Sequence, residues 1–151
     1  ILSKLRYGLA TIWLTTAQRR RLDGFAARCL RVILRIPASF VSRISNVEVL
    51  RRAASKPFSQ QVLKHQLCLL RRAALAEDGH PLRKDTFTNT VLVPQIGCFI
   101  RRVGRPRQEW TSQLLKKRSE QYGALKFQTL LSDRSHGAES RWKRELKTMF
   151  G

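Results

Sequence analysis

The densest chemistry in this sequence lies in seven consecutive residues, Arg101, Arg102, Val103, Gly104, Arg105, Pro106 and Arg107. Arginines surround a Gly-Arg-Pro core, and Pro106 suits the first position of a following helix. Guanidiniums and free backbone N–H groups then point into one space, the physical makeup of a phosphate site. A second concentration is Arg20, Arg21, Arg28, Arg31 and Arg35. On a helix these fall within an arc of about 100°, opposite an apolar stripe of Leu22, Phe25, Ala26, Cys29, Leu30 and Ile33. The ridge would be roughly 22 Å long and holds no acid, so it can pack on one side and meet phosphates on the other. Arg71 and Arg72, on the polar flank of a later helix, and Lys116 and Lys117 complete the candidate nucleic-acid contacts.

Other chemistries lack their residues. There is no Gly-rich phosphate loop, no Gly-x-Ser-x-Gly turn and no carboxylate cluster able to hold two magnesium ions, so we expect no catalytic residues, no metal site and no cofactor. His65 and Cys68, three apart, lack a second ligand pair and read as a rim pair. No orienting acid or oxyanion hole marks a Cys-His nucleophile, and His80 before Pro81 reads as a turn residue. Trp13, Trp110 and Trp142 sit on apolar faces, where core packing is the commoner role than base stacking. The Gly104-Arg105-Pro106 core resembles an AT-hook, although Val103 stands where that motif has an arginine. A backbone clamp is the favoured reading of this segment, with minor-groove insertion and a plain basic loop kept as alternatives.

The chain as a whole points the same way. Its 151 residues carry 30 Lys+Arg against 10 Asp+Glu, a formal charge of +20. Self-repulsion of that size is most simply relieved by a polyanion that releases counterions. Arginine outnumbers lysine by more than two to one, which favours nucleic acid, RNA or DNA, over an anionic membrane or an acidic protein. With 42% hydrophobic residues the chain can build a core, and it has no apolar run long enough for a membrane span. Cys29, Cys68 and Cys98 are odd in number and widely spaced, which fits a reducing, intracellular compartment rather than a disulfide framework. Lys4, Arg6, Arg19, Arg20 and Arg21, with no acid before Asp23, keep a mitochondrial address as the alternative to a nuclear one. The chain opens on Ile1 rather than Met, so a fragment or processed piece is expected.

The elements that must position these residues read as helices, and the fold class is all-α. Leu2 to Leu14 forms the first helix, weakened by Gly8. Thr15 or Thr16 caps a second from Ala17 to Ile36, ended by Pro37. Ser45 and Glu48 have capping-box spacing ahead of a short helix through Ala53, broken by Lys56 and Pro57. Ser59 caps a helix with Val62, Leu63, Leu67, Leu69, Leu70, Ala73 and Ala74 on its buried face, stopped by Asp78 and Gly79. Leu-Arg-Arg-Ala-Ala occurs at both 50–54 and 70–74, a coincidence rather than a repeat. Residues 85–105 lose helical periodicity and read as an irregular basic linker between a helical domain at 1–84 and a C-terminal helical segment at 106–151. That segment holds a helix with Trp110, Leu114 and Leu115 ending near Gly123. A last helix, Ala138 to Phe150, has Trp142, Leu146, Met149 and Phe150 on one face.

One further likeness lies in the order of several short motifs. Tyr7-Gly8, Trp13, Arg21 to Phe25, Arg28 to Arg31, Ile33-Leu34, Ser45-Asn46, Glu48 to Arg52, and Gly104 to Arg107 with Trp110 follow one another over residues 1 to about 110. In that order they resemble the region after the palm in reverse transcriptases of non-LTR, LINE-type retrotransposons. The resemblance implies a helical thumb and basic linker that grip template RNA and the primer-template duplex. Fingers, palm and the catalytic aspartates have no counterpart here, nor does the downstream zinc knuckle, and Arg71-Arg72 stands where many relatives have Gly-His. The expectation is therefore a nucleic-acid-binding helical fragment that is not itself an enzyme: a cut of a longer RNA-directed DNA polymerase, a decayed remnant, or a remnant kept as a binding protein. The alternative is a basic helical structural or interaction protein, such as a subunit of an organellar ribonucleoprotein.

Overall fold

Thr15 and Gln18 start the helix that organises the N-terminal half. The Gln18 N–H donates to Thr15 Oγ1 at 3.3 Å and the Thr15 N–H donates to Gln18 Oε1 at 2.8 Å, a complete capping box. In the computed structural model, which describes residues 2–77, 79–83 and 110–150, every element is helical and no strand occurs among the described residues. The helices are α1 (Leu2–Gly8), α2 (Thr16–Ile33), α3 (Ser39–Ser42), α4 (Asn46–Arg52), α5 (Phe58–Leu75), α6 (Trp110–Tyr122), α7 (Ala124–Ser132) and α8 (Ala138–Phe150). The fold is all-α. Arg101, Arg102, Arg105 and Arg107, and the linker expected at 85–105, lie outside the described residues.

Several expected boundaries move for local reasons. The first helix stops at Gly8 rather than Leu14, where glycine's backbone freedom weakens it. α2 ends at Ile33 rather than Ile36. Arg35 takes a left-handed backbone (φ +53°), the Ile36 N–H donates to Arg31 O at 2.9 Å and the Arg35 N–H to Val32 O at 3.2 Å. These are the two bonds of a Schellman turn, which closes the helix just ahead of Pro37. Ser59 does not cap α5, because the helix already begins at Phe58. Its N-terminus is instead held by Asp23 of α2, whose carboxylate accepts from the Ser59 N–H and Oγ–H, each at 2.7 Å. A carboxylate there also meets the positive end of the helix dipole. α7 has no counterpart in the sequence reading, which took Gly123 as the end of helix. Gly123 takes φ +84° and breaks the chain direction for only one residue before the next helix starts.

The described residues form two compact units, one from residues 2–10 and 14–65, the other from 11–13 and the described residues after 65. The first unit buries Ala26, Phe58 and Val62, with Leu5, Leu9, Leu14 and Leu22 packed around them. α2 also packs on α4, whose Val49 is fully buried. The second unit buries Leu67, Leu70, Ala73 and Ala74 of α5, Leu114 of α6, Phe127 and Leu131 of α7, and Ala138, Trp142 and Leu146 of α8. In this unit Gln66 Nε2 donates to Ile12 O at 2.8 Å. The last α5 carbonyls are met by arginines: Arg134 donates to Leu75 O at 3.1 Å, and Arg83 to Ala76 O at 2.9 Å just past the helix.

Candidate nucleic-acid interface

α2 carries Arg20, Arg21 and Arg28 on its exposed surface. Arg21 and Arg28 are seven residues apart and so share a face, and the span from Arg20 to Arg28 is about 12 Å at 1.5 Å per residue. That length matches roughly three phosphate steps of one duplex strand. The ridge is shorter than the expected ~22 Å because two of its members leave it. Arg35 is exposed but lies beyond the end of the helix, in the Schellman turn.

Arg31 is the larger correction, for it is buried and faces inward. Its Nη1 donates to Pro37 O at 3.1 Å and to Ser42 Oγ at 3.3 Å, and its Nη2 donates to Asn46 Oδ1 at 3.2 Å and to Ile44 O. One guanidinium thereby ties the end of α2 to the connection before α3, to α3 and to the start of α4. Among the described residues no carboxylate pairs with it. Carbonyl dipoles and its place in the last turn of α2, near the negative end of the helix dipole, accommodate the charge. Arg31 organises the fold and is unavailable to a phosphate.

The sign of the α2 surface follows from what its acid does. Asp23 is the lone carboxylate of α2, and its oxygens are occupied at the N-terminus of α5, so the only exposed charges of this helix are arginines. Arg19 stands apart from the ridge. It is half-buried with Nε on Leu14 O at 3.1 Å, and burial pulls its pKa below the usual guanidinium value while Asp23 opposes that shift.

In α4 the acid is also engaged. Ser45 caps the helix as expected, accepting from the Glu48 N–H at 3.2 Å. Glu48 does not return the second bond of a capping box, because its carboxylate accepts from Arg51 Nε at 2.7 Å and Arg52 Nε at 2.9 Å. These hydrogen bonds, Arg51's first, hold the Glu48 carboxyl down at about 2. The pairing is therefore present throughout the pH range above the usual carboxylate value and is lost only as pH falls through about 2. Changing Arg51 and Arg52 to Gln should return Glu48 to the usual carboxylate range. Side-chain NMR titration would show this, and a Glu48 midpoint unmoved by both substitutions would contradict the pairing.

The second unit places its candidates differently. Arg72, Lys116 and Lys117 are exposed, as expected. Arg71 is not on the polar flank: it is buried, with Nη1 donating to Leu130 O at 2.9 Å and its guanidinium carbon 5.1 Å from the centre of the Trp142 ring. Glu139 lies 3.9 Å from its Nε, an ion pair too long for a hydrogen bond. A third buried arginine, Arg118, was no part of the sequence reading. It donates to Gln121 Oε1 at 2.6 Å and lies 5.3 Å from the Phe150 ring centre. Lys116 and Lys117 share the exposed side of α6 with Glu120, so that surface is mixed in sign, unlike α2. Asp133 is held below the usual carboxylate range by hydrogen bonds from Ser135 and Arg141.

Sequence reasoning missed Arg43, an exposed arginine with a left-handed backbone (φ +55°) at the end of α3. Nothing in its spacing marks it, since it sits on no extended helix face. Trp13 and Trp110 are half-buried and Trp142 is buried, so Trp142 is a core residue. His65 and Cys68 are half-buried, and among the described residues no three His, Cys, Asp or Glu side chains cluster as metal ligands. Among the described residues no helix is long and apolar enough to cross a membrane. Comparison of the chain with protein-family models, with characterised proteins and with solved structures returns no match.

Proposed function

We propose that this chain binds nucleic acid through phosphate contacts made by the exposed arginines of α2, and that it acts as a binding rather than a catalytic element. The observation that carries this reading is the division of labour on α2. Its only acid is drawn off to the start of α5 while Arg20, Arg21 and Arg28 stay exposed, which leaves a single-sign basic surface on a rigid helix. A solvated helix face ordinarily mixes signs, so a face whose exposed charges are all arginine on a chain of charge +20 is best explained by a polyanion. Arginine's planar fork suits phosphate oxygens. The resemblance to the post-palm region of non-LTR reverse transcriptases agrees, and makes template RNA or a primer-template duplex the occupant we favour.

Equilibrium binding of the whole chain to an RNA hairpin, a DNA duplex and phosphatidylserine vesicles at one ionic strength tests the partner class. Nucleic acid should be bound much more tightly than vesicles. Equal affinity for the vesicles would reduce the surface to a nonspecific cation exchanger and overturn the proposal.

A further inference from the structure

The Arg31 guanidinium gathers four stretches of chain, and the residues beside its partners are unusual for a protein surface. Val32, Ile33, Phe40, Val41 and Val47 each expose between 61% and 83% of their surface. Every one of them lies within two residues of Arg31 itself or of Ser42 or Asn46, groups that Arg31 bonds. Single exposed apolar residues need no explanation, but five in the segments that one guanidinium ties together do.

Charge selects the occupant. Between residues 32 and 47 the ionisable side chains are Arg35 and Arg43, both exposed, and no carboxylate occurs. The next acid along the chain, Glu48, is held by Arg51 and Arg52. Both Arg35 and Arg43 sit in left-handed backbone positions where glycine or asparagine is the usual residue. A second copy of a chain of charge +20 would bring a matching positive charge to this surface and be repelled. A nucleic acid would satisfy the arginines and could stack a base on Phe40, but it offers little to the four aliphatic residues Val32, Ile33, Val41 and Val47. A protein segment with an apolar stripe flanked by Asp or Glu matches both components.

We infer that this end of the first unit is a docking surface for an acidic, amphipathic segment of a partner protein, adjoining the α2 arginine ridge, since Val32 lies one turn beyond Arg28. The surface does not depend on the nucleic-acid reading, since it uses different residues and a different kind of contact.

The test uses the whole chain and a synthetic amphipathic helical peptide, with leucine on one face and glutamate on the rest. A second peptide has the same charge but glutamine in place of leucine. The leucine peptide should bind at least tenfold more tightly than the glutamine peptide. The double variant Phe40→Ala with Val41→Ser should lose that advantage while its melting temperature and its affinity for an RNA hairpin stay unchanged. Equal binding of the two peptides would overturn the proposal, because charge alone would then explain it. So would undiminished binding of the leucine peptide by the double variant. If the apolar substitutions weaken the RNA hairpin as much as the peptide, the occupant is nucleic acid and the proposal fails. If they abolish a concentration-dependent dimer, the occupant is a second copy and it fails likewise.

Discussion

Replacing Arg31 by Ala should destabilise the chain by about 3 kcal/mol, whereas Arg28→Gln, three residues earlier on the same helix, should stay within about 0.5 kcal/mol. The difference follows from placement. Arg28 is exposed, while the Arg31 guanidinium serves Pro37 O, Ser42 Oγ, Ile44 O and Asn46 Oδ1 from a buried position. Removing it leaves Ile44 O and Asn46 Oδ1 without this donor, while Pro37 O keeps the Ser42 hydroxyl, and each lost bond costs roughly 1–3 kcal/mol where water cannot replace it. Arg31→Lys should recover only part of the loss, since a single ammonium cannot span four acceptors in the way a planar fork does. Urea denaturation followed by helical circular dichroism measures all three variants. Arg31→Ala as stable as Arg28→Gln would mean that the guanidinium does not hold these segments together.

Trp142→Ala should cost about 4 kcal/mol, the usual range for emptying a large aromatic site. Trp142 is nearly inaccessible and forms the centre of the α8 face in the second unit, with Leu146 one turn on. It also supplies the ring under the buried Arg71 guanidinium, a contact strengthened by the exclusion of water. Truncation removes the packing and leaves a desolvated cation with less to face it. Trp142→Phe should keep most of the stability, because a ring remains in place. For a chain of this size about 4 kcal/mol corresponds to a fall of roughly 8–16 °C in melting temperature. A fall of only a few degrees would show that the Arg71 and Trp142 pairing is peripheral to the core.

Much of the helical framework was readable in the sequence where local chemistry decides it. Thr15 or Thr16 ahead of α2, Ser45 at the start of α4, Pro37 after α2 and the apolar spacing of α8 each signal an element in the residues themselves, and the structure settles the first on Thr15. What could not be read from local signals depended on distant partners. Ser59 looks like a cap, yet the group that holds the start of α5 is Asp23, thirty-six residues earlier. The pentapeptide Leu-Arg-Arg-Ala-Ala makes the same point within one chain. Its first copy exposes Arg51 beside Glu48, and its second buries Arg71 against Trp142. Identical neighbours gave opposite environments.

A signal for the buried arginines does exist, at helical spacing. Arg31, Arg71 and Arg118 each follow by four residues a side chain with no exposed surface, namely Ala27, Leu67 and Leu114. Residues four apart lie one above the other on a helix, so an arginine there continues the buried stripe. Reading Arg31 as part of a polar arc takes the stripe from Leu22, Phe25, Ala26, Cys29, Leu30 and Ile33. The structure keeps Ala26 in the buried face, exposes Ile33 and part of Phe25, and adds Ala27 as a contact. Small residues allow close helix packing but contribute little to a hydrophobic pattern, which is why the face was displaced. Arg21 and Arg28 lie well away from the buried Ala26, Ala27 and Arg31 and are exposed as expected, whereas Arg20 shares the angular position of Ala27 and Arg31 and is exposed because it sits near the start of α2.

The central claim, that the exposed α2 arginines contact phosphates, is tested most directly by salt dependence. Affinity for one DNA duplex is measured over a range of salt for the parent chain and for a variant with Arg20, Arg21 and Arg28 all changed to Gln. Each phosphate contact contributes about 0.9 to the slope of log affinity against log salt. The variant's slope should therefore be shallower by roughly 2.7 while its thermal stability is retained. Parallel lines, with the variant binding as steeply as the parent, would contradict the assignment of this ridge.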